Sequence, residues 1–206
     1  MIKRILRQRY ADGALQQYLA FGARYFFIVG GDDCLEVRKM ILAAFFIALS
    51  FVGANIKIMG TIAFDSMPGF LGALILGPVY GACIGAFGHF LTALLAGFYL
   101  TPPVHAMIML TMGVTMAVFA AIYRKFEKNN TFSWVGALLA GLAAVIINGP
   151  IGLLVLVPLL LPVMGKAGMI SLLPVLSIIA ALNVFLALLL YWVLRGKVKP
   201  AAIRRL

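Results

Sequence analysis

Charge is the scarcest commodity in this chain. Only 11% of its 206 residues are Asp, Glu, Lys or Arg, against about 25% in a soluble domain. Between Met40 and Leu194 the charged side chains are Lys57, Asp65, Arg124, Lys125, Glu127, Lys128 and Lys166. That dearth excludes an ordinary water-soluble fold. Acidic residues number 6 against 17 basic ones, so the run of intramembrane carboxylates that a proton-coupled carrier uses is missing. Cys34 and Cys83 show no metal-ligand spacing, and Cys83, in a Gly/Ala-rich stretch, reads as a small packing residue. The 2 histidines have no Cys or carboxylate to complete a compact metal set. With no close acid/base pair, no activated-nucleophile pattern and no Gly-Lys phosphate loop, the sequence offers no catalytic residues, calls for no cofactor and does not itself hydrolyse ATP.

What is abundant is apolar sequence: 64% of the residues are hydrophobic and the mean hydropathy is +1.09. Several runs reach the roughly 20 residues needed to cross a bilayer. The net charge is +11, and the basic residues cluster at the termini and in Arg124-Lys125-Phe126-Glu127-Lys128, a distribution that keeps cytoplasmic loops positive and argues against nucleic-acid binding. The pattern predicts an all-α polytopic membrane protein, a six-transmembrane-helix bundle. Its first span runs from about Arg38 to Ile58. The stretch Met67 to Ala96 is too long for one helix and breaks at Gly77-Pro78, giving short helices at about Pro68 to Leu76 and Val79 to Ala96. The double Pro102-Pro103 forbids a continuous helix, and the fourth helix then runs from about Val104 to Tyr123. A fifth span from about Phe132 ends at Pro158, the segment Leu156 to Gly168 is irregular, and the sixth helix runs from about Met169 to Arg195. Basic clusters at Arg38-Lys39, Arg124-Lys125 and Lys197 onwards share one side, which puts both termini in the cytoplasm.

Three regions follow. Residues 1–36 form a basic N-terminal segment, residues 37–196 the six-helix membrane domain and residues 197–206 a basic cytoplasmic tail. The first reads either as an amphipathic helix on the membrane surface or as a mis-assigned translation start. Gly30-Gly31-Asp32 is encodable by a purine-rich stretch resembling a bacterial ribosome-binding site, with Leu35 or Val37 as alternative starts. No cleavable signal peptide is visible.

The few polar groups gather near the outer breaks. Asn55, Lys57, Thr61, Asp65 and Ser66 lie around the first of them, with Phe64 among the aromatic residues beside it. Asp65 either caps the helix after it or touches a ligand, and an ion pair with Lys57 is compatible with both. His89, beside Phe90 and Thr92, falls in the outer half of the third helix and suits a hydrogen-bonded helix contact. His105 follows the loop holding Tyr99 and Thr101 and is the stronger ligand candidate. Asn148 and Asn183 are the deepest polar residues of the last two spans; buried amides in lipid need partners, so a polar cavity shared by both is expected. Ala44 and Ala48 make a small-xxx-small pair that either packs internally or lets another helix approach closely. An apolar pocket with a few oriented polar groups is how a small-molecule site is built.

The run from Phe64-Asp65-Ser66-Met67-Pro68-Gly69 to Leu76-Gly77-Pro78-Val79-Tyr80-Gly81-Ala82, with Ala44-xxx-Ala48 in the first helix, resembles the S components of energy-coupling-factor (ECF) vitamin transporters over about Arg38 to Arg195. Gly53-Ala54-Asn55-Ile56-Lys57 and Gly85-Ala86-Phe87-Gly88-His89-Phe90-Leu91-Thr92-Ala93-Leu94 are similar to the subgroup for cobalamin and its precursors, cobinamide and α-ribazole. The resemblance implies a multi-pass subunit of a prokaryotic cell membrane, in contact with lipid. The loops around Asn55 to Asp65, Gly97 to His105 and Leu156 to Gly168 match those that close over substrate in the family, and the candidate vitamin-binding residues of this chain are Asn55, Lys57, Phe64, Asp65, His89, Tyr99, Thr101, His105, Asn148 and Asn183. Ala44 and Ala48 would dock on the transmembrane T component, which two cytoplasmic ATPases power, and the S component would topple in the bilayer on docking. An S component for another vitamin or a queuosine precursor, and a ligand-free membrane scaffold, are the competing readings.

The topology has a direct check. With Cys34 and Cys83 replaced, Thr101→Cys should react with a membrane-impermeant maleimide in intact cells, and Lys125→Cys only after permeabilisation. The opposite pattern would invert the orientation.

Overall fold

The computed structural model of the chain describes residues 36–54, 57–58, 62–63, 65–98, 100–127 and 132–195. It divides into two compact units, Met1–Met40 and Ile41–Leu206. The described part of the first is a single helical turn, in which Lys39 Nζ lies 3.3 Å from Glu36 Oε1. The N-terminal segment, including Cys34, and the basic tail lie outside the described residues.

Six helices carry the described chain. Helix α1 spans Glu36–Ala54, and within the second unit it buries Ala43, Phe46, Ser50 and Ala54, a stripe at helical spacing. Lys57–Ile58 and Ile62–Ala63 then pair as a minimal antiparallel ladder, β1 and β2, with Lys57 opposite Ala63. Helix α2, Ser66–Leu76, buries Pro68 through Leu74 without a break. A helix apolar all round belongs inside other helices, and α2 packs against α3, α4 and α6. Its 11 residues rise only about 16 Å, too little to cross a hydrocarbon core of about 30 Å.

Gly77 separates α2 from α3, Pro78–Leu95, as the Gly-Pro pair predicts. At φ 107 and ψ −179 it occupies a region that is essentially glycine-only, and Pro78 opens α3 where a missing N–H costs nothing. Helix α4, Pro102–Phe126, takes Pro102 and Pro103 into its first turn, so the prolines start the helix instead of lying in the loop before it. Helix α3 meets α4 closely because Gly85 has no side chain: a Cβ there would sit 2.7 Å from Met116 Cγ and 3.0 Å from the Met112 carbonyl.

Ser133 caps α5, Trp134–Ile146, its Oγ accepting from the Gly136 N–H at 3.0 Å. The chain then widens into a π turn, Ile147–Ile151, which contains Pro150, and continues as α6, Gly152–Leu194. Here the structure departs from the sequence reading. Leu156 to Gly168 is helical, with Pro158 and Pro162 inside it, and the one non-helical residue of α6 is Gly165 at φ 68 and ψ 175. In lipid no water replaces a lost backbone bond, so a proline is absorbed by local adjustment and the helix continues.

Four described helical stretches are long and apolar enough to cross a membrane, and Gly165 divides the last of them, Trp134–Leu194. Their outer faces are correspondingly apolar. Val79 and Val163 are each 75% exposed, which suits lipid and not water. Cys83 is exposed too; it faces out of the bundle and is not the internal packing residue its Gly/Ala-rich setting predicts.

Two apolar clusters hold the second unit together. The larger joins α2, α4, α5 and α6 around Phe70, Phe119 and Tyr123, with the Phe70 and Phe119 rings edge to face at 5.0 Å. Beside it the Tyr191 hydroxyl donates to Glu127 Oε1 at 3.0 Å, and the Arg195 guanidinium lies 5.6 Å from the Phe132 ring centroid. The smaller cluster, Val104, Leu153, Leu156, Leu160 and Met169, sits at the other end of α4.

Gly77→Ala should destabilise the protein by about 1–3 kcal/mol, read as a lower melting temperature in detergent. The new Cβ would also meet the Arg124 guanidinium at 2.6 Å. Adding Arg124→Ala relieves that crowding but not the dihedral, so the double variant should remain below wild type.

Candidate functional site

Between the start of α2, α3, the N-terminal half of α4, the π turn and α6 lies a cavity of about 540 Å³. Helical spacing explains which side chains reach it. From α3 come His89, Thr92, Ala93 and Ala96, at i, i+3, i+4 and i+7 on one face; from α4 come His105, Ile108, Thr111 and Met112, again a single face. Asp65 and Ser66 enter at the head of α2. The π turn supplies Asn148; such single-turn bulges re-aim side chains and recur at functional sites. Helix α6 contributes Leu153, Leu156, Leu160, Leu172 and Leu176. The cavity thus has a polar wall and a leucine wall.

Its central contact joins α3 to α4. His89 Nε2 lies 3.2 Å from His105 Nδ1, with the rings stacked at 5.4 Å and 29°. This is the hydrogen-bonded helix contact that suits His89. Phe98 meets His105 edge-on at 5.6 Å. The other nitrogen of His89, Nδ1, is buried with no hydrogen-bond partner among the described residues. Thr92 donates to the Gly88 carbonyl at 3.0 Å and Thr111 to the Met107 carbonyl at 2.9 Å. The Thr111 proton is thus committed to the backbone, while the Thr92 hydroxyl is within reach of both the Gly88 carbonyl and the Asp65 carboxyl.

Asp65 occupies the position before α2, but its side chain makes no capping bond to the helix. It accepts instead from Ser66 Oγ at 3.1 Å. Burial pushes its carboxyl from 3.8 up to about 6, against the smaller opposing effect of hydrogen bonds from Ser66 and Thr92. Among the described residues no group of three His, Cys, Asp or Glu side chains is placed to hold a metal.

Of the residues singled out in the sequence, Asp65, His89, His105 and Asn148 come together in the lining. Thr101 is exposed and does not line the cavity. The cavity expected to be shared by the two deep amides takes only one of them. Asn183 is fully buried but donates from Nδ2 to the Ile179 carbonyl at 3.0 Å, bonding back along its own helix. Asn55, Phe64 and Tyr99 lie outside the described residues, as does the side chain of Lys57 and with it any pairing to Asp65. Ala44 and Ala48 are both exposed on α1. Sequence reasoning placed Ser66 at the first outer break as a cap, and it missed Thr111 and the leucine wall as lining residues. Counting i+3 and i+6 from each histidine would have found Thr92 and Thr111, whereas the leucines are indistinguishable in sequence from lipid-facing ones.

A family model described as ECF transporter, substrate-specific component, matches residues 38–195. The match takes in every cavity-lining residue named above. No curated protein and no solved structure matches the chain.

Since the folded pKa of Asp65 lies above its ordinary 3.8, ionisation costs the folded state more than the unfolded one. That penalty is absent below 3.8 and complete above about 6. The wild-type melting temperature should therefore fall across this interval as pH rises, and Asp65→Asn should not share the fall. Parallel curves would remove Asp65 as its source.

Proposed function

The chain belongs to the substrate-specific components of ECF transporters, and on that premise we propose that it is the vitamin-binding S component of an importer for cobalamin or its precursors. Membership makes it a membrane transporter subunit and not an enzyme, and it implies a small-molecule substrate together with T-component and ATPase partners. The observation that carries the finer reading is the cavity itself. About 540 Å³ lies within the roughly 300–1,000 Å³ typical of small-molecule sites, and its walls suit a ligand with one apolar, flat face and several hydrogen-bonding groups. α-Ribazole, a benzimidazole nucleoside, has that character and that scale. A complete corrinoid is broader and would seat its ring at the mouth, with the loops carrying Asn55, Lys57, Phe64, Tyr99 and Thr101 around it. The similarity of Gly53 to Lys57 and of Gly85 to Leu94 to the cobalamin subgroup supports the same substrate class.

In this reading Asp65, His89, His105 and Asn148 bind the vitamin from within the cavity. Ala44 and Ala48, exposed on α1, take the T component, since two alanines one turn apart let another helix backbone approach closely. Both termini lie in the cytoplasm of a prokaryotic cell, beside the two ATPases. A queuosine precursor or another vitamin of nucleoside size is the second reading, and the same polar and leucine walls favour it.

Calorimetric titration of the purified protein with cobalamin, cobinamide, α-ribazole and a queuosine precursor decides among these. Saturable binding of α-ribazole or a corrinoid, weakened at least about tenfold by Asp65→Ala or His105→Ala, is the expected result. Binding of the queuosine precursor alone would keep the transporter and change the substrate. No binding by any of the four would leave the ligand-free scaffold.

A further inference from the structure

We propose that Asp65 sets the charge selectivity of the cavity, which admits an uncharged or cationic substrate and refuses one that would bury a carboxylate or phosphate there. The inference rests on the vitamin reading of the site and adds the property by which the site sorts its candidates. Among the described residues that line the cavity Asp65 is the one acidic side chain, and there is no Lys or Arg. Lys166 of α6 is exposed and does not line it. The histidines change this balance little. His89 Nε2 and His105 Nδ1 face each other at 3.2 Å, where two imidazolium rings would set N–H against N–H, so the pair holds at most one charge and Asp65 offsets it. Asp65 itself is half-buried and held by Ser66 Oγ at 3.1 Å. Its carboxyl, pushed up to about 6 by burial, is still ionised at neutral pH. Beside apolar walls such a charge acts across the cavity with little screening, so it needs no direct contact to repel an anion.

The uncharged lining groups point the same way. An anion in an apolar site needs hydrogen-bond donors to replace its water, and the hydroxyl protons here already have acceptors, wherever along the cavity they stand. That of Ser66 goes to Asp65, that of Thr111 to the Met107 carbonyl, and that of Thr92 has the Gly88 carbonyl and the Asp65 carboxyl within reach. The Asn148 amide is the side-chain donor that remains in the described lining. Helix N-termini, the other common source of donors for an anion, add little. Asp65 stands at the head of α2, where its charge offsets the positive helix end, and α4 opens with Pro102 and Pro103, which have no N–H. A buried anion would thus face a fixed negative charge with one amide to solvate it, an arrangement that gives specificity by penalising the wrong ligand. A neutral nucleoside escapes that penalty, and an amine gains a counter-charge.

The probes are two pairs that differ in charge, α-ribazole with its phosphate monoester and an aminomethyl queuosine precursor with its carboxylate counterpart, titrated at neutral pH against the intact protein by calorimetry. In whichever pair binds, the wild type should hold the anionic member at least about a hundredfold more weakly. Asp65→Asn keeps the shape and removes the charge, so it should narrow that gap at least about tenfold, whereas a gap due to bulk alone would not change. Equal affinity within a pair, or a gap that Asp65→Asn leaves as it was, would overturn the charge role and leave the vitamin reading standing. Should Asp65→Asn fail to fold, the α-ribazole analogue with an amine in place of its primary hydroxyl decides on the wild type. It adds no bulk, so binding at least as tight as that of α-ribazole upholds the charge role and weaker binding overturns it. Binding of neither pair would overturn the inference, and the vitamin reading falls with it only when cobalamin and cobinamide fail to bind as well.

Discussion

The close approach of α3 to α4 sets the geometry on which the cavity depends. At the crossing Gly85 faces the Met112 carbonyl and Met116, with no room for a Cβ, and Gly113 faces the Ala82 carbonyl, where a Cβ would be tight at 3.2 Å. Small residues at such a contact let two backbones pack by van der Waals attraction alone, which is what drives helices together where lipid is as apolar as they are. One turn beyond Gly85 on α3 stands His89, and two turns before Met112 on α4 stands His105. With the crossing fixed, the two imidazoles have to meet. Their 3.2 Å contact is therefore a consequence of glycine placement several residues away, and a bulkier crossing would part the rings and open the polar wall.

Lipid imposes the second constraint. Backbone N–H and C=O groups find no water in the hydrocarbon core, so the chain keeps its helices going wherever it can. Pro150 falls in a π turn, Pro158, Pro162 and Pro174 are carried within α6, and the break is left to Gly165. The two interruptions have different uses. The π turn brings Asn148 to the cavity, while Gly165 lets one chain direction give way to another between the leucines before it and those after it.

The two ends of α4 are chemically distinct. About 27 Å of helix rise separates His105 from Tyr123. Around Tyr123 aromatic rings, the Tyr191 to Glu127 hydrogen bond and the Arg195 guanidinium make a tight, filled cluster. Around His105 the packing opens into a cavity with a buried carboxyl, two imidazoles and an amide. A filled end gives the bundle its rigidity, and the hollow end keeps open space between polar side chains.

Much of this was legible in the chain. Scarce charge and long apolar runs are sufficient for a membrane protein, because a charged group in lipid is too costly to be placed at random. Gly77-Pro78 had to be a break, since each residue disfavours helix continuation for a local reason. Asp65, His89, His105 and Asn148 stood out because polar groups in an apolar setting need a partner. Other features were not local. Asn148 and Asn183 look alike in sequence, yet one lines the cavity and the other bonds back to its own helix. The leucines of α6 that form a cavity wall have the same composition as those that face lipid, and the prolines before Gly165 carry the signal of a break without making one. Sequence by itself determined the solvent, the helical class and which residue types carry the chemistry, since these follow from the free energy of moving each group out of water. Only the tertiary structure decided which polar groups meet, because that depends on helix crossings and on the rotation of each helix about its axis, quantities set by contacts between residues far apart in the chain.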